Sequence, residues 1–194
     1  EAISDAAKSY FTGDRRLGER AGQLEQQIDQ QQRDIEGLCM QLLLRQQPVA
    51  RDLRQISAAL KMITDMERIG DQAEDIAEIV AFLDGRQAEN DALLKEMAKA
   101  VIQMVTESVD AYVKCDIMLA KKVIAADDVV DEQFARVKQS LIGKIAADPA
   151  DGEYALDLLM IAKYYERIGD HATNIAEWVI YSVTGTHKDE ITLT

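Results

Sequence analysis

The chain has 194 residues, of which 47% are apolar and 29% charged, with only two prolines and 5% aromatic residues. This composition is typical of a helical protein with a sizeable core, and the formal charge of −13 opposes any broad attraction to nucleic acid or anionic lipid. No apolar stretch approaches the roughly 18 residues of a spanning helix and no signal peptide is recognisable, so we expect no direct membrane insertion.

Apolar residues recur at helical spacing along most of the chain and break at only a few points. We therefore predict six helices. Asp14 and Asp116 are suited to cap two of them, because a carboxylate accepts hydrogen bonds from the free backbone N–H groups at a helix start. The predicted helices span residues 1–12, 14–47, 50–84, 91–114, 116–146 and 153–184.

The third and sixth predicted helices carry nearly the same segment, ERIGDQAEDIAE from Glu67 and ERIGDHATNIAE from Glu166, at an offset of 99 residues. Such self-similarity indicates an internal duplication. It predicts an all-α fold of two tandem three-helix bundles related by an internal pseudo-twofold repeat. We assign residues 1–86 to the first repeat and residues 87–194 to the second.

The two repeats differ at their edges. Near Asp14 and Asp116 the offset is 102, so residue 1 corresponds to residue 103, and we expect the first helix to lack its first turns. The polar segment 84–91 predicts a short turn, which would let the two bundles pack against each other. The tail after Gly185 has no helical pattern and is expected to be loosely held.

The repeated segment places acidic residues on one side of its helix. In the first copy, five carboxylates lie within an arc of about 100°, where like charges four residues apart destabilise an exposed helix. The preceding helix of each repeat adds a further acid pair, which antiparallel packing would bring beside the arc. The arc of the first copy consists of Glu67, Asp71, Glu74, Asp75 and Glu78; the second copy keeps Glu166, Asp170 and Glu177 and has Asn174 and Thr173 at the other two positions.

Two interpretations of the acids remain open. Clustered carboxylate and amide oxygens suit hard cations such as magnesium, manganese or iron. Alternatively, the acids form a solvated face neutralised by the basic residues Arg33, Arg68, Lys138 and Arg167. Gly70 and Gly169 flank the arc at a cost of about 1 kcal/mol each relative to alanine, which predicts a close approach by another helix or by a metal cluster.

His171 lies off the arc, and no Glu-x-x-His pair accompanies it. This counts against a di-iron carboxylate enzyme, which carries such pairs on two helices of a bundle. We expect His171 to be an interface or partly buried histidine.

Across its whole length the sequence resembles the PhoU family of accessory regulators of bacterial phosphate-specific transport. The resemblance is carried by IDQQQRDIEGLCMQLLLRQQPVARDLR, LKMITDMERIGDQAEDIAE and YYERIGDHATNIAEWVIY. It implies two three-helix bundles that bind multinuclear metal clusters on their surface. Carried over to this sequence, it implies metal ligands at Glu25, Asp29, Glu67, Asp71 and Asp75 for one cluster, and at Asp127, Asp131, Glu166, Asp170 and Asn174 for the other.

The resemblance also implies a function without catalysis. The protein would link the ATPase of the phosphate ABC transporter to the sensor histidine kinase, and would repress the phosphate-starvation response when phosphate is plentiful. No nucleophile with a base, phosphate-binding loop or DNA-reading motif is recognisable in the sequence, which agrees with this function. The isolated cysteines, Cys39 and Cys115, indicate a reducing compartment; we therefore expect a cytoplasmic protein, and a homodimer.

Residues 45–54, which we call the basic turn, carry Arg45, Arg51 and Arg54 in an otherwise acidic protein, whereas the counterpart AADPADGEYAL has no basic residue. One hypothesis is that this turn contacts an acidic surface of the transporter ATPase or the kinase. The alternative is that its arginines form salt bridges with Asp52 and neighbouring acids.

Three other functions stay open from the sequence. The chain would be a metal enzyme or iron store with oxygen ligands if it showed redox turnover or bound many ions. It would be a structural scaffold if it bound no metal. PhoU-like modules also occur attached to sodium/phosphate cotransporters, and a fragment of such a protein would have lost its transporter segment.

Overall fold

The computed structural model describes residues 1–83 and 92–186, and this part of the chain is helical almost throughout. The predicted turn at 84–91 and most of the predicted loose tail, residues 187–194, lie outside the described residues. Five helices precede a short 3₁₀ turn at Pro149–Asp151, which leads directly into a sixth. The helices are α1 (Ala2–Thr12), α2 (Arg15–Gln46), α3 (Arg51–Phe82), α4 (Ala92–Lys114), α5 (Ile117–Ala147) and α6 (Gly152–Thr184).

The helix boundaries follow from local chemistry. The Asp14 carboxylate accepts a hydrogen bond from the Arg16 backbone N–H at 3.1 Å, and Asp116 accepts one from Leu119 at 3.0 Å, so both predicted caps are confirmed. Gly185 ends α6 in the left-handed region at φ 80°, which glycine adopts without the steric cost of a Cβ atom.

The chain folds into two three-helix bundles, α1–α3 and α4–α6, which pack against each other through α3 and α6. Both central helices are rich in buried apolar residues, including Ile69 and Ile76 in α3 and Ile168 and Ile175 in α6. These four side chains come from equivalent positions of the two repeats. The predicted fold class is therefore confirmed, including the pseudo-twofold arrangement.

The two glycines of the repeated segment lie where another helix approaches closely. A Cβ atom at Gly70 would lie 3.1 Å from Ile28 Cδ1 of α2, and one at Gly169 would lie 3.4 Å from Asp127 Oδ1 and 3.5 Å from Val130 Cγ1 of α5. Helix packing thus accounts for Gly70, where a Cβ atom would crowd Ile28, whereas a Cβ atom at Gly169 would make only ordinary van der Waals contacts. The approach of the helices also sets the distance between the acids that they carry.

Reciprocal polar contacts connect α3 to α6. Asp65 accepts a hydrogen bond from Asn174 Nδ2 at 3.1 Å and lies 2.9 Å from His171 Nδ1. On the other side of the pseudo-twofold axis, Tyr164 hydrogen-bonds to Asp75. His171 is 19% exposed and lies between the bundles, as predicted from its position off the arc.

A search of the described helices for a membrane span found no segment that is both long and apolar enough.

Candidate metal centre

The antiparallel packing of α2 against α3 gathers five half-buried acids on one surface, which we call the first acidic cluster. One carboxylate oxygen from each of Glu25, Asp29 and Asp71 lies within 4.8 Å of the other two. The acid pair on α2 therefore lies beside the arc on α3, as the sequence predicted. The first acidic cluster consists of Glu25, Asp29, Glu67, Asp71 and Glu74.

The first acidic cluster is electrostatically unfavourable without a cation. Burial raises the pKa of Glu25 above its usual value, and the carboxylates of Glu74, Asp29, Asp71 and Glu67 raise it further. Burial likewise raises the pKa values of Glu67 and Glu74, with neighbouring acids as the next cause in each case. Partial burial of several carboxylates at one place is costly unless opposite charge compensates it.

Two arginines compensate part of this charge. Arg33 lies 3.3 Å from Asp29, while Arg68 lies 3.0 Å from Asp71 and 3.4 Å from Glu67. Both arginine side chains are more than half exposed, so their ion pairs are screened by water and contribute little. Neutralisation by basic residues is thus present, but it leaves Glu25 and Glu74 without a described cationic partner.

Glu74 was missing from the predicted ligand set. A Cβ atom at Gly22 of α2 would lie 3.1 Å from Glu74 Oε1, so the absence of a side chain at Gly22 leaves room for this carboxylate beside Glu25. The signal in the sequence was the glycine in α2 opposite an acid of the arc.

Asp75, which was predicted as a ligand, lies at the edge of the first acidic cluster and faces α6. Its pKa is raised mainly by burial and by Glu78, while the hydrogen bond from Tyr164 and the charge of Arg167 act in the opposite direction. Asp75 is therefore engaged by the second bundle rather than grouped with Glu25.

The equivalent surface of the second repeat, which we call the second acidic cluster, is built differently. Burial and the charges of Asp170 and Asp131 raise the pKa of Asp127 from 3.8 to about 6. Burial also raises the pKa of Asp170, with Glu166 as the next cause. The second acidic cluster consists of Asp127, Asp131, Glu166 and Asp170.

Local partners occupy part of the second acidic cluster. Lys163 forms an ion pair with Glu166, and Thr173 of the facing helix lowers the pKa of Asp127. Asn174, the remaining predicted ligand, donates to Asp65 of α3 instead. Within residues 1–83 and 92–186, only the first acidic cluster brings three ligand atoms as close as 4.8 Å.

The first acidic cluster fits a hard cation better than the second does. Oxygens that share one Mg²⁺ or Ca²⁺ lie about 2.0 to 2.6 Å from the ion, so a mutual separation of up to 4.8 Å leaves room for one ion among Glu25, Asp29 and Asp71. At the second acidic cluster, the ammonium group of Lys163 already supplies positive charge beside Glu166. Lys138, expected to neutralise acids, lies 6.0 Å from the centre of the Phe134 ring.

The three arginines of the basic turn do not share one environment. Arg45 and Arg51 are exposed, and no ion pair joins either of them to another described residue. Arg54 is half-buried, and its side chain lies 3.5 Å from the Cβ position of Gly185 at the end of α6.

Comparisons with known sequences agree with the architecture. A family model described as the PhoU domain matches residues 1–80 and 94–179. A phosphate-specific transport system accessory protein PhoU homolog from Pseudomonas aeruginosa is 34% identical over 194 residues, covering 99% of this chain and 80% of that protein. The phosphate-specific transport system accessory protein PhoU homolog 1 from Thermotoga maritima is 34% identical over 192 residues, covering 98% of this chain and 83% of that protein.

Solved structures give the same result. A crystal structure of PhoU from Pseudomonas aeruginosa superposes with a TM-score of 0.91 at 34% identity, covering 95% of this chain and 90% of that chain. The phosphate transport system regulatory protein PhoU from Streptococcus pneumoniae superposes with a TM-score of 0.88 at 26% identity, covering 96% and 88%. These names describe accessory and regulatory proteins and none of them names a reaction, in agreement with the expectation of a non-enzymatic protein.

Proposed function

The chain belongs to the PhoU family, and from this premise we propose that it is a metal-binding adaptor in the regulation of phosphate uptake. Its partners would be the ATPase of the phosphate ABC transporter and the sensor histidine kinase of the phosphate-starvation response. In its metal-loaded form it would hold that response off when phosphate is plentiful. The proposal includes a cytoplasmic homodimer, which the family resemblance implies.

The observation that supports metal binding is the first acidic cluster. Three carboxylate oxygens within 4.8 Å of one another, with two further half-buried acids beside them, form a donor set that selects hard cations such as magnesium, manganese or iron. A bound cation would supply positive charge that links the acids of α2 to those of α3. The second acidic cluster is proposed as a weaker site, because within the described residues its acids do not bring three ligand oxygens within 4.8 Å of one another.

In this proposal, the bound metal acts on regulation by fixing the shape of the surface that α2 and α3 form. Without a cation, burial raises the pKa values of Glu25, Glu67 and Glu74, and acids of the facing helix add to each shift, Glu74 acting on Glu25 and Asp29 on both Glu67 and Glu74. With a cation, the same acids would hold the two helices in one arrangement, which a partner could recognise. The acids themselves need perform no proton transfer, and the proposed role requires only binding.

The test is elemental analysis of protein purified without chelator or affinity metal, together with a reporter of the phosphate-starvation response in a strain that lacks its own homologue. We expect metal in the wild type, its loss in the double variant Asp71→Asn with Asp170→Asn, and repression of the reporter by the wild type alone. The matched control is Asp34→Asn with Glu132→Gln, since both are exposed acids on α2 and α5 outside the two clusters.

Full repression by a double variant that binds no metal would remove the metal from the mechanism. A wild-type chain that binds metal but never represses the reporter would instead contradict the regulatory role.

A further inference from the structure

The end of the first bundle carries exposed apolar side chains beside positive charge that forms no ion pair with another described residue. Leu44 is 77% exposed and Val49 is 74% exposed, and they flank the exposed residues Arg45 and Arg51 of the basic turn. Leu53, 43% exposed, lies on the first turn of α3. Contiguous exposed apolar residues mark an interaction site more often than scattered ones do.

The backbone of this turn is unusual as well. Gln47 has φ 46°, and Ala50 has φ 47° with ψ −108°, although neither residue is glycine. Side chains with a Cβ atom rarely adopt positive φ, and such strained positions concentrate at functional segments. The turn therefore presents Val49 and Arg51 in a conformation that local propensity alone does not favour.

The second repeat provides an internal comparison. Its equivalent connection is a 3₁₀ turn, Pro149–Asp151, in which Asp148 accepts a hydrogen bond from the Ala150 backbone N–H at 3.0 Å. That turn has no basic residue and no positive φ among its residues. Because the two bundles share one fold, the charge and strain of the basic turn are a local addition to the first repeat.

We propose that the basic turn is a docking surface for an acidic, amphipathic segment of a partner protein. Carboxylates of the partner would pair with Arg45 and Arg51, while its apolar side chains would cover Leu44 and Val49. The inference rests on the proposed adaptor function, to which it assigns a surface and a partner chemistry.

Charge decides between the classes of partner. A chain with a formal charge of −13 is repelled by nucleic acid and by anionic lipid, whereas an acidic protein segment needs only the local field of two arginines. Salt screens charges beyond about 8 to 10 Å, so a short acidic segment would be attracted locally without engaging the distant acidic clusters. Arg54 takes no part in this surface, because its side chain lies against Gly185.

The experiment measures binding of this protein to the purified transporter ATPase and to the purified cytoplasmic part of the kinase from its own organism. The charge variant is Arg45→Glu with Arg51→Glu, and its matched control is Lys144→Glu, an exposed cation in the last turn of α5. The apolar variant is Leu44→Asn with Val49→Asn, matched by Ile142→Asn at an exposed site of α5.

We expect the charge variant to weaken binding of one partner about tenfold or more and to flatten its salt dependence, as reversal of interface charges does. The apolar variant should also weaken it, and the two controls should change Kd less than about twofold. Undiminished binding by the charge variant would overturn the docking surface while leaving the adaptor function intact. Failure of the wild type to bind either partner would overturn the adaptor function itself.

A membrane is tested in parallel with vesicles of phosphatidylcholine with and without phosphatidylserine. Vesicle binding that depends on Arg45 and Arg51 would reassign the surface to lipid and overturn the proposal. Absence of vesicle binding, together with the loss of partner affinity, is the result that we expect.

Discussion

The pKa of Asp127 shows how a single residue responds to burial and repulsion within an acidic cluster. Its pKa is raised to about 6 by burial and by Asp170 and Asp131, from the ordinary value of 3.8. The folded protein therefore holds this proton more tightly than the unfolded chain does. Linkage then requires that stability falls as the pH rises from about 4 to about 6, and stays lower above that range.

The first prediction follows from this direction of the change in stability with pH. Asp127→Asn should raise the free energy of unfolding of the metal-free protein at pH 7.5 by about 1 kcal/mol, a value reduced from full linkage because the partly exposed carboxyl is screened by water. The measurement is urea denaturation in a chelator at pH 4.5 and pH 7.5. At the lower pH, where the wild-type carboxyl is already protonated, the difference should be small.

The exposed acid Glu132 on the same helix supplies the control. Glu132→Gln should leave the stability nearly equal to that of the wild type at both pH values, since the interactions of an exposed carboxylate are screened by water. An Asp127→Asn protein that is less stable than the wild type at pH 7.5 would mean that the favourable effect of Thr173 on the ionised carboxylate outweighs the repulsion.

At the scale of the helix, the acidic clusters depend on how closely α2 approaches α3. A Cβ atom at Gly70 would meet Ile28 at 3.1 Å, 3.4 Å and 3.6 Å through Cδ1, Cγ2 and Cβ. Cδ1 is the only one of these atoms nearer than an ordinary van der Waals contact, and the β-branched stem limits how far Ile28 can give way. By contrast, a Cβ atom at Gly37 of α2 would meet nothing within 4 Å.

The second prediction compares these two glycines. Gly37→Ala should stabilise the protein by about 0.5 to 1 kcal/mol through helix propensity, whereas Gly70→Ala should destabilise it by about 1 kcal/mol because α2 must move outward. Thermal or urea unfolding of the two variants measures the difference. Outward movement of α2 should also lower metal content, since Glu25 and Asp29 move with it.

A second change at Ile28 tests the cause. Ile28→Val removes Cδ1, the atom nearest to the added methyl group, and should recover part of the stability lost in Gly70→Ala, which a double-mutant cycle would detect as coupling. Equal stability gains in Gly70→Ala and Gly37→Ala would show that close packing does not require the glycine.

The helices themselves were largely predictable, because their signals are local. The caps Asp14 and Asp116 and the break at Pro149 fixed most boundaries to within two residues, and the repeated segment identified the duplication. The start of α3 was predicted to within one residue, although Ala50 offers no capping side chain. Its position depends instead on the strained turn that precedes it.

The acidic clusters were predictable in outline but not in detail. Helical spacing placed Glu25 and Asp29 beside the arc, because both sides of the pairing are periodic. Which acids point toward one another depends on rotamers and on the partner bundle, neither of which a pattern specifies. Tyr164 engages Asp75 of the other repeat without a signal in the spacing, whereas the Lys163–Glu166 pair has one, because residues three apart are neighbours on a helix.

For the whole molecule, the duplication has produced two surfaces that share a plan and differ in their acids and in the cations that pair with them. Five half-buried acids meet at the first acidic cluster, where the exposed arginines Arg33 and Arg68 form ion pairs, while the second combines four acids with Lys163, which is paired with Glu166. Lys163 and Lys138 both flank the Phe134 ring, at 5.5 Å and 6.0 Å from its centre. Of these two lysines, Lys163 alone forms an ion pair with an acid of the second acidic cluster within the described residues.

The third prediction follows from this difference between the surfaces. Titration of the metal-free protein with Mn²⁺ should resolve a tighter class of sites that Asp71→Asn removes and a weaker class that Asp170→Asn removes. Lys163→Met should tighten the weaker class about tenfold, because Glu166 no longer has to exchange a charge-assisted hydrogen bond for the ion. Lys138→Met removes the same charge from the same aromatic ring but breaks no described ion pair, and so should change the affinity much less. Equal tightening by both variants would assign the effect to the general field of the protein, whereas tightening by Lys163→Met alone would identify the Lys163–Glu166 pair as the feature that separates the two clusters.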